Sequence, residues 1–125
     1  MSPEIARLGD YLNHMLQAID RIMRYVDDVQ ERAFLTDTLI QDAVIRNFEI
    51  IGEASRNIEQ RYPDFTAAHP DLPLLAAYEM RNVLAHGYFK VDLEIVWKTI
   101  QNDLPALRQH LAALITELAS PQSLR

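Results

Sequence analysis

Apolar residues return every three or four positions over three long stretches of this chain, and that period commits most of it to amphipathic helix. The first stretch sets Ile5, Leu8, Leu12, Met15, Ile19, Ile22 and Val26 on one stripe, behind Ser2-Pro3 as cap and first-turn proline. The second runs through Ile40, Val44, Phe48, Ile51, Ser55 and Ile58, with Arg46, Glu49, Glu53 and Asn57 on its opposite side. The last follows Leu93, Val96, Trp97, Ile100, Leu104, Leu107, Leu111, Leu114 and Leu118, and opens at Asp92 as its N-cap. Pro105 lies inside that stretch and predicts a kink or restart near Asp103. Residues 61–73 hold Pro63, Pro70 and Pro73 with Asp64 and Asp71, and read as a connection rather than an element. Asp71-Leu72-Pro73 then opens a shorter helix through Leu74, Leu75, Tyr78 and Leu84. The same Asp-Leu-Pro string at 103–105 is one helix-start device used twice, not an internal repeat.

Four main amphipathic helices without strand signals predict an all-α fold, a predominantly antiparallel helical bundle. A length of 125 residues, 49% of them apolar and only 3 of them Gly, fits one domain over 1–125 with a C-terminal tail from about 119 to 125. The long first and last stripes leave room for a second subunit, so a homodimer is expected. The absence of Cys excludes a disulfide framework and thiol chemistry, and agrees with a reducing compartment. No apolar run approaches the roughly 18 residues of a membrane span, and Met1-Ser2-Pro3-Glu4 is not a basic region followed by an apolar one. The expectation is a soluble, cytoplasmic protein without a membrane partner.

A net charge of −6 and a pI near 5.1 argue against a protein that coats nucleic acid by counterion release. They leave room for one that grips one or two phosphates locally. Ten of the 12 basic residues are Arg, which suits bidentate pairing with phosphate or with the chain's own carboxylates.

The chemistry concentrates in Arg81-Asn82-Val83-Leu84-Ala85-His86-Gly87-Tyr88. Arg supplies a planar, permanently charged fork for phosphate oxygens, and His can both take and give a proton near neutral pH. Arg81 and His86, five apart, would diverge by about 140° on a continuous helix, whereas Asn82 and His86 share a face. Gly87 is the residue expected just past a helix C-terminus, which would place His86 in the last turn. There the negative end of the helix dipole favours imidazolium. On spacing alone a surface Arg beside a satisfied His fits equally well. For Arg46, Glu49 and Glu53 the two readings are a solvated face with internal salt bridges and a face that lines the Arg81/His86 cleft. Gly52 in mid-helix suggests another backbone packed close. Trp97 reads as core or interface, His14 and His110 as ordinary partly exposed helix residues, and His69, before Pro70, as loop. The four His residues fall in different segments and none pairs with a carboxylate at ligand spacing on one helix face except by accident, so no metal site and no cofactor is expected.

Arg81-Asn82, three spacers, His86, one spacer and Tyr88 resemble the signature of HEPN-domain ribonucleases. More narrowly, they resemble the HepT-like toxins encoded beside a minimal nucleotidyltransferase. Ala43-Val44-Ile45-Arg46-Asn47, Ile50-Ile51-Gly52-Glu53-Ala54, Val96-Trp97 and Asp103-Leu104-Pro105 support that branch. The resemblance implies a metal-independent endoribonuclease toxin of a type VII-like toxin–antitoxin pair, acting on an RNA such as tRNA or mRNA. In it the substrate's 2′-hydroxyl attacks the adjacent phosphate. It assigns His86 to proton transfer, Arg81 to the charge on the phosphorane, and Asn82, Arg46 and Glu53 to supporting polar roles. It implies a dimer whose two motifs face across the twofold, and a nucleotidyltransferase antitoxin that silences the toxin by adenylylating Tyr88. The alternative is a non-cleaving helical module that binds substrate for, or regulates, that nucleotidyltransferase. HEPN domains of that kind tend to lack the Arg or the His, and this sequence has both.

Overall fold

A computed structural model describes residues 3–72 and 92–119 of the chain. The third expected helix after Leu72, the Arg81–Tyr88 motif and the tail beyond Ala119 lie outside the described residues. Among the described residues every regular element is a helix: α1 (Pro3–Tyr25), α2 (Glu31–Phe34), α3 (Thr38–Arg61), α4 (Pro63–Ala68), α5 (Leu93–Asn102) and α6 (Leu104–Ala119). None of them is long and apolar enough to cross a membrane.

The three stripes read from the sequence are the core. Leu8, Leu12, Met15, Ile19, Ile22 and Val26 of the first are buried, as are Val44, Phe48, Ile51, Ser55 and Ile58 of the second. α1 packs against both α3 and α6, so it occupies the middle of the described bundle. Tyr11, near the start of α1, meets Tyr62, just past the end of α3, with ring centroids 6.4 Å apart. The two helices are therefore antiparallel. Arg108, in the first turns of α6, donates from Nε to Asp20 Oδ1 at 2.6 Å near the end of α1. Since α1 ends five residues later, α6 keeps its contact with α1 only by running back along it. Both side chains of that pair are nearly half exposed, so it fixes register more than it adds stability.

Local chemistry sets the helix ends. Asp37 accepts from the Ile40 amide at 3.2 Å and starts α3. Asp92 Oδ1 accepts from the amides of Glu94 and Ile95 at 3.0 and 3.2 Å, satisfying two donors that no earlier turn can reach. Asp92→Ala is expected to cost about 1 kcal/mol of stability, read as a lower urea midpoint at unchanged slope, with Asp92→Asn close to wild type. The predicted restart falls at Asp103, where α5 ends and α6 begins with Pro105 at its second position. A proline there gives up a donor the first turn would leave unpaired, and its ring no longer meets a helical carbonyl four residues back. Val96, Ile100, Leu104, Leu107, Leu111 and Leu114 remain buried on both sides of the break, so the stripe is continuous although the backbone ladder is not.

Two short helices depart from the sequence reading. Residues 63–68, expected to be part of a connection, form α4: Pro63 sits in its first turn with φ already helical, and Asp64 complements the positive end. The four-residue α2 has no counterpart in the expected elements. It exists because Phe34 is fully buried, stacking against Trp97 at 5.3 Å between ring centroids, and because Gln41 Nε2 donates to the Phe34 carbonyl at 2.8 Å. Between α1 and α2 the chain turns at Asp28, whose φ of 59° is left-handed, a region Asp enters more readily than most residues.

Candidate functional site

The polar side of α3 does not simply face solvent. Arg46, Glu49, Ile50, Glu53, Ala54 and Asn57 line a cleft of about 280 Å³, closed on its other side by Tyr11 and His14 of α1. The helical period explains the α3 half: 46, 50, 53 and 57 lie one turn apart on one face. The antiparallel pairing of α1 with α3 supplies the α1 half. Tyr11 and His14 directly precede Leu12 and Met15, both fully buried, so they stand at the edge of the α1 stripe, where α3 comes alongside.

Ile50 and Ala54 give the lining an apolar part, and Arg46, Glu49, Glu53 and Asn57 a polar one. Arg46 Nη1 lies 3.6 Å from Glu49 Oε2, with the two side chains 70% and 42% exposed. At that distance the pair is an ion pair without a hydrogen bond, and solvated pairs of this kind contribute about 0–1 kcal/mol. Either partner can turn to a ligand at little cost. Asn57 Nδ2 donates to the Glu53 carbonyl at 3.0 Å, which orients the amide. His14 is exposed, and among the described residues nothing hydrogen-bonds its ring. Among the described residues the lining carries the guanidinium of Arg46 and the carboxylates of Glu49 and Glu53.

Of the residues singled out from the sequence, the structure brings Arg46 and Glu53 together in this cleft. Arg81, Asn82, His86 and Tyr88 lie outside the described residues. The Arg46 face carries an internal salt bridge and lines a concave surface, and the Arg81/His86 side of the second reading lies outside the described residues. His14 was read as an ordinary helix residue; it is exposed, as expected, and it lines the cleft. Tyr11 was not singled out, and its position against the stripe is the one signal that could have found it. Gly52 is buried on α3, and Ser55 Oγ donates to its carbonyl and that of Ile51, both at 3.0 Å. Asn47, 5% exposed, donates from Nδ2 to the Ala43 carbonyl at 2.8 Å, while its buried Oδ1 has no partner. His69 ends α4, its Nδ1 3.0 Å from the Phe65 carbonyl and its ring tilted on Phe65.

Comparison with known proteins adds what geometry cannot. A family model described as "Ribonuclease HepT-like" matches residues 15–114, which include the cleft residues of α3 and the whole Arg81–Tyr88 motif. A protein of Thermococcus cleftensis named "Probable ribonuclease HepT" is 42% identical over 99 residues, 79% of this chain and 87% of that protein. One of Methanocaldococcus jannaschii named "Gamma-glutamylcyclotransferase and putative RNase" is 39% identical over 108 residues, 86% of this chain. The match covers 47% of that relative, so this chain spans about half its length. No solved structure matches the chain.

Proposed function

This chain belongs to the HepT-like ribonuclease family, and from that premise we propose that it is a metal-independent endoribonuclease centred on Arg81 and His86. The observation that carries the reading is the family match across residues 15–114 together with the intact Arg81, Asn82 and His86 inside it. A module that had given up cleavage would have no need to keep both the cation and the imidazole.

The reaction needs little else. One imidazole takes the proton of the 2′-hydroxyl as that oxygen bonds to the adjacent phosphorus. The bond from phosphorus to the 5′-oxygen breaks, and an imidazolium gives that oxygen its proton. The products are a 2′,3′-cyclic phosphate and a 5′-hydroxyl. Arg81 balances the charge that builds on the phosphorane, and Asn82 positions phosphate or ring. A single His cannot be base and acid at once, whereas a twofold dimer places each His86 near its mate and supplies both. Arg46 and Glu53 act as supporting polar groups from α3.

The test is expression of the chain alone, wild type beside His86→Ala, with growth and RNA ends scored together. Cyclic-phosphate ends that vanish in the variant are the expected result. Equal growth arrest by the two proteins would sink the catalytic assignment in favour of a module that acts by binding.

The toxin–antitoxin setting belongs to the same proposal. A minimal nucleotidyltransferase partner silences the chain by attaching adenylate to Tyr88, two residues from His86, which brings negative charge and bulk to a site meant for RNA. Tyr88→Phe is expected to cleave RNA like wild type yet escape neutralisation when the partner is co-expressed. Full neutralisation of Tyr88→Phe would place the modification elsewhere.

A further inference from the structure

The cleft between α1 and α3 has a makeup that the cleavage chemistry does not require. A pocket for phosphate alone would be lined by cations, and among the described residues this one also carries the Glu49 carboxylate beside the apolar side chains of Ile50 and Ala54. Its volume of about 280 Å³ is large enough for one nucleotide and too small for a duplex. Tyr11 contributes an aromatic wall, already held edge-on by Tyr62 at an interplanar angle of 62°. Among the described residues the Glu49 carboxylate is held by a loose ion pair with Arg46 at 3.6 Å. Single-stranded RNA is read in this way, by splaying out a base, placing it against an aromatic ring and hydrogen-bonding its exposed edge.

We propose that the cleft lined by Tyr11, His14, Arg46, Glu49 and Asn57 is a base-reading subsite for an unpaired guanine of the RNA, next to the scissile linkage that Arg46 and Glu53 support. The inference rests on the ribonuclease reading above and adds to it a choice of sequence. Guanine is the base that presents two adjacent donors, N1–H and the 2-amino group, and a carboxylate accepts both at once as it does from a guanidinium fork. Glu49 takes that edge. Ile50 and Ala54 exclude water beneath the ring, Tyr11 covers it, and Arg46, released from Glu49, holds the nucleotide's phosphate with His14 beside it. Adenine and uracil lack the paired donors. Cytosine offers a single amino group and fits the carboxylate less well.

The experiment uses the full chain carrying His86→Ala, so that RNA stays intact, and labelled single-stranded hexanucleotides that differ at one position: guanine, inosine or adenine. Inosine keeps the ring and N1–H and removes only the 2-amino group. The guanine oligomer is expected to bind about tenfold more tightly than the adenine one, one good bidentate contact's worth, with inosine, which keeps one of the two donors, between them. Adding Glu49→Gln should bring the guanine and inosine oligomers down towards the adenine value and leave the adenine affinity where it was. Equal affinity for the three oligomers, binding of none of them, or a guanine preference that survives Glu49→Gln would each overturn the subsite. RNA cleavage by wild type is scored separately. Cleavage without base preference removes the subsite and leaves the ribonuclease standing. A Glu49-dependent guanine preference without cleavage removes the ribonuclease and leaves a base-binding module.

Discussion

His86→Ala and Arg81→Ala are each expected to slow RNA cleavage by a hundredfold or more while the helical circular dichroism and the thermal midpoint stay close to wild type. The first loss follows from the substrate. A 2′-hydroxyl is a poor nucleophile until its proton is taken, and a well-placed general base or acid is worth roughly 10²–10⁴ in rate. The second follows from the transition state, where charge grows on phosphate oxygens and removal of one preorganised donor costs about 10²–10³. The fold is expected to survive because the apolar stripes of the sequence contain neither residue. Arg81→Lys separates charge from shape: an ammonium keeps the charge and loses the fork, so partial recovery points to Coulombic stabilisation and none to bidentate geometry. If two imidazoles share the work, the wild-type pH–rate profile is bell-shaped, since one must be neutral while the other is charged. A profile that only rises with pH would argue for a single base and against the paired arrangement.

Phe34→Ala is expected to destabilise the fold by about 3–5 kcal/mol, the range for removing a fully buried aromatic ring. Phe34 has no exposed surface, and it links three elements: its own α2, α5 through the ring of Trp97, and α3 through the carbonyl that accepts from Gln41. Truncation leaves a cavity that the four-residue α2 cannot close by shifting, because the Gln41 hydrogen bond holds its end in place. A thermal midpoint lowered by roughly 10 °C or more is the measurable consequence. Phe34→Leu should recover part of it, since it restores volume without the ring contact. A loss below about 1 kcal/mol for Phe34→Ala would mean that α2 is a passenger and not a clamp.

That clamp marks the limit of what the sequence discloses. The long stripes are legible because five or more apolar residues repeat at one period, and the buried faces of α1, α3 and α5–α6 match them. The cap at Asp92 and the restart at Asp103 are legible as well, since each depends on one side chain acting within its own turn. Phe34 is not, because a four-residue helix is too short to show any period. α4 was lost to its prolines: the same Pro63 that reads as a breaker is well suited to the first turn of a helix. The cleft is half legible. Periodicity puts Arg46, Glu49, Glu53 and Asn57 on one face but says nothing of which neighbour that face meets. Tyr11 and His14 become relevant only through the antiparallel pairing of α1 with α3, a fact of tertiary structure.

The place of α1 in the middle of the bundle also sets the order of synthesis against the order of assembly. α1 is made before either of its partners. α3 can cover one side of it as soon as residue 61 is free, but the other side waits for α6, which begins only at Leu104, and Asp20 does not meet its partner until Arg108 exists. A nascent chain therefore carries the apolar stripe of α1 half covered from the completion of α3 until α6 emerges. The α1–α3 pair can form early, and the final docking of α6 closes the side of the core that α3 leaves open.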